Sequence, residues 1–191
     1  MKFITTFALA VISTVYGKTL ALPLEARDSC QYNYLPQLWS ISQHQPTSSN
    51  GPQTSVVDVN QDIGRKDLIV SFQNIPQGSW GCNLQFDYKP GHGAYVWGIG
   101  DPQVINVYAI NGNLPTQPTW DNITPLTGSL VGTFQFPTGT ALNEPKLVWI
   151  NSLVCQSTLN YRLAVANTDR VKGGVYDTDD AGSGLRISHN C

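Results

Sequence analysis

Short runs in which large apolar residues alternate with polar ones recur along this chain, and they constrain its fold more than any other feature. In residues 68–72 the first, third and fifth positions are apolar, and residues 84–88 repeat this period of two. Such a period indicates a strand with one buried face. Clusters of Gly, Pro, Asn and Asp, which favour turns, separate the runs. The strands predicted in this way are residues 54–59, 68–72, 84–88, 104–110, 130–136, 146–150, 159–165 and 185–187.

These runs predict an all-β fold, an antiparallel β-sandwich of jelly-roll-like form with about eight strands. Because each strand has one polar face, each sheet is expected to have one side in contact with solvent. Residues 37–53 are rich in Ser, Gln, Pro and Asn and are predicted to be the least structured stretch. About 160 residues are enough for one core, so residues 28–191 are assigned to a single domain.

The N-terminal segment has the composition of a secretory signal. Lys2 supplies a positive charge, and residues 3–16 are apolar apart from a few Ser and Thr. We expect a signal peptide over residues 1–17 and a pro-segment over 18–27, which ends at the basic Arg27. No later apolar run approaches the length of about 20 residues that a membrane-spanning helix needs. The mature protein is therefore expected to be secreted, to lie outside the cell or in the cell wall, and to have no membrane span.

The mature chain holds four cysteines, Cys30, Cys82, Cys155 and Cys191. An even number in a secreted domain indicates two disulfides, and four cysteines allow three pairings. Cys30 and Cys191 lie at the ends of the domain, whereas Cys82 and Cys155 each adjoin a predicted strand. This spacing predicts the pairs Cys30–Cys191 and Cys82–Cys155. No Cys-x-x-Cys spacing of a structural zinc site is present.

The charge of the mature chain argues against polyanionic partners. From Asp28 onward, eight basic and twelve acidic residues remain, a net charge of −4. Phosphate contacts need clustered Lys and Arg, and Arg65-Lys66 is the only adjacent basic pair. We therefore expect neither a nucleic-acid partner nor attraction to an anionic membrane surface.

The sequence offers little catalytic chemistry. A glycosidase needs two carboxylates across a sugar bond, and Glu144 is the one glutamate of the mature domain, so such a pair would consist mainly of Asp. His44, His92 and His189 are far apart in sequence and are interpreted as surface residues. The Gly-x-Ser-x-Gly nucleophile elbow is missing. We predict no catalytic residue, no metal site and no cofactor.

Aromatic side chains are the better candidates for ligand binding. Tyr95 and Trp97 lie on one side of a run flanked by glycines, and Trp80 and Trp120 lie in turn-like surroundings. Exposed rings stack on sugar faces and anchor protein interfaces. A sandwich of this size also needs large core residues, so for Tyr95 and Trp97 a core position is favoured over a ligand platform. Trp149, in an apolar run, is predicted to be core.

Asn122-Ile123-Thr124 matches the acceptor pattern for N-glycosylation and lies in a Pro-rich, loop-like stretch. Pro125 follows the motif directly and lowers its efficiency as an acceptor. Asn122 is therefore a predicted glycosylation site whose occupancy is left open.

Several short motifs occur together along residues 68–191 of the chain. They are residues 68–72 leading to Pro76, then Cys82-Asn83-Leu84-Gln85-Phe86, then Cys155 before Leu159-Asn160-Tyr161, and Gly184-Leu185-Arg186-Ile187 near Cys191. Over residues 55–191 the chain resembles the family named for the C-terminal domain of a ubiquitin 3 binding protein. The resemblance implies a β-sandwich with a Cys82–Cys155 bridge and no assigned active site. Binding to the ubiquitin pathway is not carried over, because an exported domain would not meet that intracellular partner.

Three functions remain open on these grounds. The first is a secreted, non-enzymatic fungal protein of the extracellular space or cell wall, with a host-directed effector as one form of it. The second is a carbohydrate-binding module that uses Trp80, Tyr95, Trp97 or Trp120. The third is a glycan-active hydrolase. The expected partner is an extracellular glycan or protein, and exposure of the aromatic residues between Gly93 and Gly100 would favour the second function over the first.

Overall fold

The computed structural model describes residues 30–34, 36–53, 56–62, 64–91, 93–137, 142–166, 169–178 and 184–191. The predicted signal peptide and pro-segment lie outside these residues. The strands are β1 (Gln31–Tyr34), β2 (Gln37–Ser42), β3 (Gln45–Gln53), β4 (Val56–Asp62), β5 (Gly64–Phe72), β6 (Cys82–Tyr88), β7 (Tyr95–Ile99), β8 (Val104–Ile110), β9 (Thr127–Gln135), β10 (Lys146–Leu153), β11 (Leu159–Val165), β12 (Lys172–Thr178) and β13 (Gly184–His189). One turn of helix, α1 (Trp120–Ile123), continues into a 3₁₀ turn, Thr124–Leu126. No helix of the described residues has the length and apolarity to cross a membrane.

The strands form two antiparallel sheets, which confirms the predicted all-β sandwich. The larger sheet has the order β7-β12-β4-β5-β11-β8-β9, and β2 joins it through β5 while pairing with β3. The smaller sheet has the order β1-β13-β6-β10. One face of each sheet packs against the other sheet, and the opposite face of each sheet points away from this interface.

The core lies between the two sheets and is rich in aromatic rings. Phe86 of the smaller sheet lies 5.6 Å from Phe134 and 5.1 Å from Phe136, measured between ring centroids. Tyr88 stacks on Phe86 at 4.3 Å. Alternate residues of the facing strands, such as Val70 on β5, complete this core. The period of two seen in the sequence therefore corresponds to the inward face of each sheet.

The prediction of about eight strands is too low for the described residues, which contain thirteen. The prediction that residues 37–53 are the least structured stretch is wrong, since β2 and β3 form a hairpin across the turn at Gln43-His44. Most of β3 is exposed and polar, so it has no hydrophobic pattern to reveal it. Its backbone groups pair with β2, which is anchored by buried Trp39 and Ile41.

Both predicted disulfides are present. Cys82–Cys155 joins the start of β6 to the loop after β10, and Cys30–Cys191 joins the segment before β1 to the chain end after β13. Cys82 is 1 % exposed and belongs to the main core. The bridges therefore tie together strands that already pack against each other.

A charged cluster is buried on the outer side of the larger sheet. Asp67 is fully buried and accepts hydrogen bonds from Arg162 Nε at 2.7 Å and Arg65 Nε at 2.8 Å. Arg162 Nη1 also donates to Thr127 Oγ1 at 3.0 Å. The ring of Trp120 covers both guanidinium groups, with centroid distances of 4.4 Å to Arg162 and 5.7 Å to Arg65. Each guanidinium group of the cluster thus has the carboxylate of Asp67 and an aromatic face beside it.

Candidate functional site

Three aromatic residues lie together on the outer face of the larger sheet, at its β7 edge. We call Tyr95, Trp97 and Tyr176 the aromatic platform. Tyr95 and Trp97 are two residues apart on β7, and their rings are nearly parallel, at 22° and with centroids 5.8 Å apart. Tyr176 on β12 is the direct cross-strand neighbour of Tyr95. Tyr95 is 67 % exposed and Tyr176 41 %, so these rings are open to solvent.

The strand period places these rings outward. Val96, between Tyr95 and Trp97, packs against the main core, and Val175, beside Tyr176, is fully buried in it. Alternate residues of a strand point to opposite faces, so the aromatic neighbours of these valines point away from the core. The preference for Tyr95 and Trp97 as core residues is therefore corrected.

Polar side chains border the aromatic platform on β4 and β5. Asp58 is the cross-strand neighbour of Tyr176 and forms an ion pair with Lys66. Asn60 Nδ2 donates to Asp58 Oδ1 at 3.1 Å. Trp97 Nε1 donates to Asp62 Oδ2 at 3.2 Å, although the two strands are separated by β12. We call Asp58, Asn60, Asp62 and Lys66 the polar border.

Glycine on β12 permits this contact across the sheet. Gly174 is the cross-strand neighbour of both Trp97 and Asn60. Because Gly174 has no side chain, the indole of Trp97 has a free path over β12 to Asp62. Gly174 thus allows a side chain of the aromatic platform to contact the polar border.

Gly173 also holds β7 close to β12. It has a φ of +126°, and a Cβ atom built on it would lie 2.0 Å from the carbonyl oxygen of Trp97. We expect Gly173→Ala to lower the free energy of unfolding by about 3 kcal/mol, since strained backbone costs about 1 to 3 kcal/mol before the clash is added. The matched control is Gly112→Ala, which has a φ of +81° but no neighbouring atom within 4 Å. Urea unfolding of both variants checks this, and an equal loss in the two would show that β7 and β12 move apart freely.

The other two predicted binding residues lie elsewhere. Trp80 is 58 % exposed in the turn before β6, where its backbone nitrogen donates to Asn190 Oδ1 at 3.0 Å. Trp120 is partly buried against the guanidinium groups of Arg65 and Arg162. Neither residue belongs to the aromatic platform. Their predicted roles in binding stay predictions.

The prediction that Trp149 is a core residue is wrong. Trp149 is 60 % exposed and Leu147 is 41 % exposed, whereas Val148 and Ile150 contact the core. In the uniformly apolar run 147–150 the sequence has no alternation that would indicate which face is buried. The edge strand β10 therefore presents one of its two apolar faces to solvent.

Histidine positions differ from the prediction in one case. His44 is exposed in the β2–β3 turn, and His92 lies outside the described residues. His189 is 2 % exposed and hence not a surface residue; its Nε2 lies 2.9 Å from Asn33 Oδ1 and its Nδ1 3.3 Å from Ser79 Oγ. Among the described residues, no three His, Cys, Asp or Glu side chains come close enough to hold a metal ion.

Asn122 lies in α1, where its side chain takes part in the helix cap. Its Oδ1 accepts from the backbone nitrogen of Thr119 at 2.8 Å, and its Nδ2 donates to the carbonyl oxygen of Gln117 at 3.0 Å. Thr124 Oγ1 donates to the carbonyl oxygen of Trp120 at 2.7 Å. Both side chains of the acceptor motif are thus engaged in local hydrogen bonds. Glycosylation of Asn122 stays a prediction.

Comparison with known proteins adds no relative. Neither the models of known protein families nor the curated proteins contain a match to this chain. Membership of the family with the ubiquitin 3 binding protein domain therefore stays a prediction. The class that the fold defines is a disulfide-linked, antiparallel β-sandwich.

Proposed function

We propose that this protein is a secreted, non-enzymatic binding protein of the extracellular space or cell wall, and that it binds glycans through the aromatic platform. The observation that carries the proposal is the nearly parallel pair of Tyr95, which is exposed, and Trp97, which is partly exposed. Two disulfides are compatible with an oxidising compartment, where extracellular proteins mature. The proposal unites the first two of the functions that the sequence left open.

The chemistry of the aromatic platform suits a sugar chain. The C–H face of a pyranose ring is apolar, and it buries much area against an aromatic face at little cost in side-chain entropy. The polar border supplies carboxylate and amide oxygens beside the rings, in reach of the hydroxyl groups at the edge of the same sugar. The hydrogen bond from Trp97 to Asp62 fixes the indole before a ligand arrives, which lowers the entropy lost on binding.

Retention on insoluble polysaccharides tests the proposal. Chitin, cellulose, β-glucan, xylan and mannan are each incubated with the protein, and the bound fraction gives the affinity. We expect Tyr95→Ala and Trp97→Ala each to weaken binding about 30-fold, since a central aromatic contributes about 2 kcal/mol or more. Tyr95 is 67 % exposed, so the free energy of unfolding of its variant should match that of the wild type.

Trp149→Ala is the matched control. Trp149 is an exposed tryptophan of the same protein, at 60 %, but it lies on the smaller sheet. Its loss should change retention by less than about twofold, which corresponds to about 0.4 kcal/mol. Equal losses in the Trp149 and Trp97 variants would mean non-specific adhesion and would contradict the proposal, as would no retention on any of the five polysaccharides.

The same samples test the non-enzymatic part. Each bound polysaccharide is assayed for new reducing ends after prolonged incubation with the wild-type protein. We expect no release above buffer. Release that disappears in Asp58→Asn or Asp62→Asn would instead identify a glycan-active hydrolase with its acids on the polar border.

A further inference from the structure

A cleft lies at one end of the sandwich, where β5, β8 and β10 end and β11 begins. Its volume is about 690 Å³, within the range of about 300 to 1,000 Å³ that small-molecule sites occupy. Residues 109–114 and 156–161 form most of its wall. The strands β12, β4 and β5 separate β11 from β7, a distance of roughly 19 Å at the usual strand spacing. The cleft is thus distinct from the aromatic platform.

The wall of this cleft is polar but carries no formal charge. Its polar groups are mostly side-chain amides, and no Asp, Glu, Lys, Arg or His is among the described residues that line it. Tyr161 is the one ionisable group there, and burial raises its pKa, so that it remains a neutral hydroxyl. Ile110, Leu114 and Leu159 supply apolar surface between the amides. The amides are those of Gln73, Asn111, Asn113, Asn151, Gln156 and Asn160.

Two polar atoms in the wall have no hydrogen-bond partner among the described residues. They are Ser71 Oγ and Asn160 Oδ1, and both atoms are buried. Ser71 on β5 and Asn160 on β11 are direct cross-strand neighbours, so both residues lie at one point of the cleft. A buried polar atom without a partner lowers stability, and in native proteins such atoms usually have a partner, which can be a water or a ligand.

We propose that this cleft binds a neutral saccharide, whose hydroxyl groups donate to Ser71 Oγ and Asn160 Oδ1. Sugar hydroxyls both donate and accept, as the surrounding amides do, and the C–H groups of the ring contact Ile110 and Leu114. An anionic or cationic ligand would find no opposite charge in this wall. A peptide is the less suitable occupant, because the strand addition by which a β-sheet binds an extended peptide needs a sheet edge, whereas this cleft lies at strand ends.

The second site goes beyond the proposed function, because it gives the protein two separate contacts with glycans. The cleft would bind the end of a polysaccharide chain, and the aromatic platform would bind the face of a sugar ring within a chain. The two contacts together would raise the apparent affinity for a branched or dense polysaccharide. Neither site depends on the other, so each is testable alone.

Titration of ¹⁵N-labelled Tyr95→Ala protein isolates the cleft from the aromatic platform. Glucose, mannose, galactose and N-acetylglucosamine are added separately, and backbone amide shifts are recorded. We expect at least one sugar to cause saturable shifts confined to residues 109–114 and 156–161. When Ser71→Ala is also introduced into the Tyr95→Ala protein, the sugar should bind about threefold to tenfold more weakly, which corresponds to the loss of one hydrogen bond. The Tm should not fall.

Ser188→Ala is the matched control, because Ser188 is also 1 % exposed and its Oγ also has no partner in the part of the chain that the structure describes, but it lies on β13 of the smaller sheet. It should leave sugar binding unchanged. The proposal is overturned if no sugar shifts the cleft amides, if N-acetyl-triglycine amide shifts them in place of the sugars, or if Ser71→Ala lowers the Tm. If sugars shift the cleft amides but no polysaccharide retains the protein, the cleft is supported as a sugar site and glycan binding by the aromatic platform is rejected.

Discussion

Asp67→Ala is expected to lower the free energy of unfolding by about 3 to 5 kcal/mol, the cost of leaving a buried charge without its partner. Asp67 is fully buried and lies between Arg162 and Arg65. Arg162, with a side chain 5 % exposed, has no route to solvent for its charge once the carboxylate is removed. The corresponding fall in Tm is roughly 10 °C for a domain of this size. Calorimetry and urea unfolding measure both quantities.

Two further variants identify the cause of that loss. Asp169→Ala removes an exposed aspartate and should change stability by less than about 0.5 kcal/mol. Asp67→Leu combined with Arg162→Met replaces the buried pair by apolar side chains and should lose less than Asp67→Ala, because the charge then left in the cluster is that of Arg65, whose side chain is 25 % exposed. If the double variant is the less stable of the two, the contacts of Arg162 with Thr127 and Trp120 matter more than its charge.

Removal of the Cys82–Cys155 bridge should cost about 4 kcal/mol. The two residues are 73 apart in sequence, and closing a loop of that length restricts the unfolded chain by about this amount on the chain-entropy relation. Cys82 is also 1 % exposed in the main core, so its replacement loses packing as well. The measurement is urea unfolding of the Cys82→Ala/Cys155→Ala variant without reductant.

The second bridge provides the comparison. Cys30 and Cys191 are 161 residues apart, so the same relation gives about 5 kcal/mol for Cys30→Ala/Cys191→Ala. If restriction of the unfolded chain determines how much a bridge stabilises, this variant should lose at least as much free energy of unfolding as the Cys82→Ala/Cys155→Ala variant. A much smaller loss would show that the core position of Cys82, and not loop closure, determines the contribution of a bridge.

Strands with a clear period of two were predictable from the sequence, whereas strands that depend on their partners were not. The runs 104–110 and 159–165 match β8 and β11. β3 was missed because its side chains are mostly polar and exposed, and only its pairing with β2 makes it a strand. β12 was missed because Gly173 and Gly174 interrupt its pattern, although Val175 is buried.

The candidate site was predictable in part. Tyr95 and Trp97 stood out as aromatic residues two apart between glycines, which is the spacing of one strand face. The sequence did not indicate which face, because the apolar neighbours of both rings suit a core equally well. Tyr176 and Asp62 were missed, since their proximity to Tyr95 and Trp97 arises from the order of β7, β12 and β4 in the sheet. That order is a tertiary property that no local pattern encodes.

The Cys30–Cys191 bridge has a practical consequence for presenting this protein on a surface. It holds the Cα atoms of the two residues 4.4 Å apart, beside β1 and β13 of the smaller sheet. A linker attached after Cys191 therefore departs from the smaller sheet, while Tyr95 and Trp97 face outward from the larger one. Tethering the chain at this point to a bead or a sensor chip should leave both aromatic rings directed toward the solution.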